Sequence, residues 1–67
     1  MATDDDVVML KLAGYEVRFD QDHEAWEWVN RDIGRVSASW MDNDEIAWDD
    51  ALHEFNYDLM EMENEKE

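Results

Sequence analysis

Five carboxylates, Asp50, Glu54, Asp58, Glu61 and Glu65, follow one another at spacings of three and four residues. On a helix that spacing stacks them on one side, with adjacent members about 6 Å apart along the axis. Such a ladder can accept charge-assisted hydrogen bonds from Lys and Arg, bidentate ones from guanidinium groups. Like charges at i, i+4 cost a few tenths of a kcal/mol per pair. Apart from Lys66, no lysine or arginine lies one turn away in the sequence to relieve them. A solvated face that keeps a small protein soluble is the commoner role of such a stripe. The sharper role is a row of acids offered to a basic groove. Duplex DNA carries one charge per 3.4 Å per strand, so a carboxylate every ~6 Å is within a factor of two of that spacing.

Other chemistry is poorly represented. The two histidines, His23 and His53, form neither a His-x-x-x-His pair nor a metalloprotease helix, and both read as surface histidines. Asp20-x-Asp22-x-Glu24 runs into Ala25 where a calcium loop needs glycine, and Asp42-x-Asp44 runs into Ile46. Ser37 and Ser39 sit on no nucleophile elbow. Paired carboxylates are abundant, but general acid catalysis needs a cleft that desolvates one of them. The expectation is a binding protein rather than an enzyme, with no catalytic residue, no metal and no cofactor.

The element that must position the ladder is a long helix from Asp42 to Glu65. Asp42 has the chemistry of an N-cap and Glu45 completes a capping-box pattern. Trp48, Ala51, Leu52, Phe55, Leu59 and Met62 form its apolar stripe. On the opposite side Ile46, His53, Tyr57 and Met60 make a second line, suited to a partner or to self-association as a homodimer.

Upstream, residues 1–6 read as a short acidic tail. Val7 to Leu12 and Tyr15 to Phe19 alternate with period two around Ala13-Gly14, which predicts a β-hairpin, with a bent single strand as the alternative because Ala-Gly is not among the strongest hairpin turns. Asp20 or Asp22 is expected to cap a helix reaching about Asp32, with Ala25, Trp26, Val29 and Ile33 inward and Glu27–Arg31 as an i, i+4 pair. Trp28 falls off that stripe and is expected at the sheet edge or exposed. Gly34 reads as a helix C-cap and Arg35 to Met41 as a third strand. The fold class is therefore α+β in the order ββαβα: a three-stranded antiparallel sheet with two helices packed on one face. One small domain spans 7–62, and 63–67 reads as a frayed acidic end. Trp26, Trp40, Trp48 and Phe55 are expected to share one core.

Charge bounds the partner. Twenty acidic against five basic residues give a net −15 in 67 residues. Eleven acids and one base fall between Asp42 and Glu67, so that segment carries −10. Such a chain repels phosphates and anionic lipid headgroups, which disfavours direct nucleic-acid or membrane binding. Four tryptophans and 45% hydrophobic residues argue for a folded domain despite the charge. The absence of cysteine and of a signal-peptide pattern fits a cytoplasmic protein.

In size and charge the chain is similar to the small acidic inhibitors that phages make against host defence and transcription, several of which mimic DNA. The likeness lies in composition and covers no diagnostic motif. It implies an inhibitor that occupies the basic nucleic-acid-binding surface of a protein or complex, such as a phage-encoded anti-CRISPR or other anti-host-defence protein. The residues expected to bind the partner are Asp50, Glu54, Asp58, Glu61, Tyr57, Ile46 and Trp28, with Met41 as a further contact. The alternative is a small adaptor or regulatory protein that binds through the apolar helix face.

Overall fold

The computed structural model describes residues 2–64, with side chains as far as residue 60. The order of elements is αβββα: α1 Asp4–Leu12, β1 Tyr15–Asp20, β2 Ala25–Asn30, β3 Arg35–Val36 and α2 Asp44–Asn64. The strands form one antiparallel sheet, β1-β2-β3, contacted by both helices. The class is α+β, as the sequence predicts, but two elements change type.

The first change is α1, in place of the predicted strand at Val7–Leu12. Thr3 is its N-cap: Thr3 Oγ1 accepts from the Asp6 backbone N–H at 3.2 Å, and Asp6 Oδ2 accepts from the Thr3 N–H at 3.0 Å. That second bond holds the Asp6 carboxyl below the usual carboxylate range. The Asp4-Asp5-Asp6 run is the first turn, where the helix dipole favours negative charge. Leu10 is buried and Leu12 exposed, which a strand face carrying both could not give. Gly14 then turns the chain into β1 at φ +99, and a Cβ there would lie 2.6 Å from Asp32 Oδ2.

The second change is β2, in place of the helix predicted from a cap at Asp20 or Asp22 to about Asp32. Asp20 does cap backbone N–H groups, those of Asp22 at 2.8 Å and His23 at 3.3 Å, but in a turn. Aspartate serves either purpose with the same hydrogen bond. Beyond the turn, Trp26, Trp28 and Val29 suit a strand, and all six β1 residues find partners from Tyr15↔Asn30 to Asp20↔Ala25. The predicted Glu27–Arg31 pair does not form. Glu27 instead accepts from Arg18 Nε across the ladder at 2.7 Å, and Arg31 reaches Glu16 at 3.0 Å. Gly34, at φ +66, belongs to the turn before β3 rather than to a helix end.

The third strand is shorter than predicted. Only Arg35–Val36 pairs with β2, and Met41 makes an isolated bridge to Trp26. For α2, the cap is Asn43 rather than Asp42, with Asn43 Oδ1 accepting from the Ile46 N–H at 2.8 Å. Leu10, Tyr15, Trp28, Met41, Ala47 and Ala51 form the buried cluster, with Trp26, Trp48, Leu52 and Phe55 packed against it. Trp40 is not in that core. It lies half-exposed, stacked on His23 with ring centroids 4.0 Å apart. Most of the expected fraying at 63–67 falls on residues outside those described.

Candidate functional site

The twenty-one residues of α2 set three kinds of side chain around one axis. Ala47 and Ala51 are buried, and Trp48, Leu52 and Phe55 partly so, which places the predicted apolar stripe against the rest of the molecule. Leu59, predicted on that stripe, stays about half exposed, and the side chain of Met62, its last predicted member, lies outside the described residues. Ile46, His53, Tyr57 and Met60 face outward, Tyr57 with 54% of its surface accessible. Asp44, Glu45 and Asp49 add exposed carboxylates to the N-terminal half. Beside Ile46 and His53 runs a shallow depression reaching Asp49, Asp50 and Asn56.

The ladder itself is less bare than its sequence implies. Asp50 Oδ2 accepts from the Trp28 indole Nε1 at 2.6 Å. Arg35 Nη1 lies between Glu54 Oε1 at 2.8 Å and Asp58 Oδ1 at 3.1 Å. The Asp58 carboxylate, with Glu54 adding to it, raises the Arg35 guanidinium above its ordinary range. Arg35, Glu54 and Asp58 are all partly exposed, so these ion pairs are screened and individually weak. Their consequence is electrostatic placement: Glu54 and Asp58 share one cation, while the N-terminal acids of α2 lie beyond it.

Of the residues expected to contact a partner, Ile46 and Tyr57 are exposed on the outward line, and Asp50 is exposed beside them. Glu54 and Asp58 are half-buried against Arg35. Trp28 is not at an edge: it is 3% exposed on the central strand. Buried tryptophan needs a partner for its N–H, and Asp50 supplies it. Met41 is buried in the same cluster. The Glu61 side chain lies outside the described residues, as does Glu65. Sequence reasoning missed Arg35, because its carboxylate partners are 19 and 23 residues away and no local spacing signals the pairing.

The other cations of the described residues are also engaged. Arg18 pairs with Glu27 and Arg31 with Glu16, and Lys11 Nζ sits 5.8 Å from the Trp48 ring centroid. Among the described residues, no group of three or more His, Asp or Glu is arranged to hold a metal ion. No described helix is long and apolar enough to cross a membrane. Neither a protein family, nor a curated protein, nor a solved structure matches the chain.

Proposed function

We propose that the outward surface of α2 binds the basic nucleic-acid-binding surface of a protein or complex, presenting carboxylates where phosphates would lie. The observation that carries this reading is the disposition of charge. Lys11, Arg18, Arg31 and Arg35 are each committed to an acid or a ring within the molecule, while the chain retains a net −15. Acids outnumber cations twenty to five, so the pairing leaves most of the negative charge in excess. Asp50, with the flanking Asp44 and Glu45, supplies charge; Ile46 and Tyr57 supply apolar contact that discriminates between partners. Steering by the field would raise the association rate.

The reading takes both helices to cover the sheet face that carries Tyr15 and Trp28, which turns the outward line of α2 to solvent. The protein would be a cytoplasmic inhibitor rather than an enzyme, working in the host cytosol if phage-encoded, and an anti-CRISPR or other anti-host-defence role fits it. It would contact neither nucleic acid nor membrane directly. One observation favours the second reading, an adaptor or a homodimer formed through the apolar line: Arg35 partly neutralises Glu54 and Asp58, which leaves Ile46, Tyr57 and Met60 the more prominent feature of that end. Salt dependence separates the two. Binding by mimicry weakens steeply as salt rises and is competed by duplex DNA; an apolar interface is insensitive to both.

A further inference from the structure

Ile33 and Leu59 both belong to apolar stripes in the sequence, yet both are about half exposed. They stand at the rim of one cavity of about 150 Å³, whose walls include Ala13, Tyr15 and Phe55. The Tyr15 and Phe55 rings meet edge-on there, with centroids 6.3 Å apart. Asp58 is the carboxylate of the same cavity. An apolar recess with an acid in its lining matches a long side chain that is aliphatic along its stem and cationic at its head.

We propose that this cavity takes a single Lys or Arg side chain from the basic partner, the stem lying between Ile33 and Leu59 and the head reaching Asp58 and Glu54. The inference rests on the reading of α2 given above and names the anchor of that contact. Charge complementarity selects this occupant. A purely apolar side chain would cover Asp58 while giving it no donor beyond Arg35 in exchange for the water it displaces, which costs free energy. A second copy of the chain is strongly acidic, and its Arg18, Arg31 and Arg35 are already paired. Arg35 touches Asp58 through one nitrogen, Nη1, and leaves the carboxylate room for a further donor.

The test is a methyl-detected NMR titration of the full chain with hexalysine and hexaarginine peptides, beside a hexapeptide alternating norleucine and serine. The expected result is that either cationic peptide shifts the Ile33 and Leu59 methyls, while the norleucine peptide leaves them in place. Ile33→Ser and Leu59→Ser, both at half-exposed positions and checked for folding by circular dichroism, should each weaken cationic-peptide binding by about tenfold. Shifts confined to residues 44–53, with both serine variants binding normally, would overturn the anchor and leave the acidic surface standing. Absence of binding by any cationic peptide would overturn both. Equal shifts with the norleucine peptide would make the occupant apolar. Movement of the Ile33 and Leu59 methyls on Lys66→Gln in the free protein would make the occupant the chain's own terminus.

Discussion

The Trp28 indole donates to the Asp50 carboxylate at 2.6 Å, joining the central strand of the sheet to the exposed side of α2. A residue of the acidic ladder is thereby also part of the fold. Asp50→Ala removes the acceptor and leaves a buried N–H unsatisfied, at a cost of about 1–2 kcal/mol after allowance for partial exposure. Asp50→Asn keeps an acceptor in place and should cost less than about 1 kcal/mol. Urea unfolding midpoints compare the two; equal stability of Asp50→Ala and wild type would mean the bond contributes nothing.

Leu10 and Leu12 distinguish the helix from the strand that the sequence suggests. In α1 Leu10 is 0% exposed and Leu12 84% exposed. Leu10→Ala should therefore cost about 2–5 kcal/mol, a large part of the stability of so small a domain. Leu12→Ala should change it by less than about 0.5 kcal/mol. Thermal denaturation of both variants gives the answer, and similar losses at the two positions would restore the strand.

Arg35 is the cation that shields the ladder. Arg35→Gln should leave the fold nearly unchanged, because the pairs it breaks are exposed to solvent. It should also tighten binding of a cationic peptide severalfold at low salt, with a steeper salt dependence, because Glu54 and Asp58 lose their internal partner. Calorimetric titration measures this directly. Weaker binding by Arg35→Gln would mean that Arg35 itself touches the ligand.

Burial raises the Tyr15 phenol above the ordinary tyrosine range, and the charges of Asp58 and Glu54 act in the same direction. A group whose folded value is raised contributes stability that is complete below the ordinary value and fades as pH rises through the folded one. Stability should hold to about pH 10 and fall beyond it. The rise of phenolate absorbance should show one of the two tyrosines ionising late, together with unfolding. Its early ionisation in the intact fold would contradict the burial of Tyr15.

The parts of the fold legible in the sequence are those whose local signals agree. For α2, cap chemistry, acids in the first turn and a stripe with helical period coincide; for β1, period-two alternation follows the Ala13-Gly14 turn signal. The misread elements are those where one local pattern serves two structures. Val8, Leu10 and Leu12 alternate, but Thr3 and Asp6 complete a capping box that decides for helix. Asp20 caps a turn as well as it would a helix, and pairing with β1 decides for strand. Of the candidate site, the alignment of Asp50, Glu54 and Asp58 on α2 follows from spacing alone. The cation between two of them and the indole beneath the third come from strands far away in sequence, and only tertiary packing brings them there.

The central claim is that the carboxylates of α2 stand in for phosphates. Its most direct test is capture of lysate proteins on the immobilised full chain, run with and without excess duplex DNA and beside an Asp50→Asn/Glu54→Gln/Asp58→Asn/Glu61→Gln variant. The account predicts recovery of a basic nucleic-acid-binding protein that is lost both to the competitor and in the variant. Retention of the same partner through both changes would contradict mimicry and assign the contact to Ile46, Tyr57 and Met60.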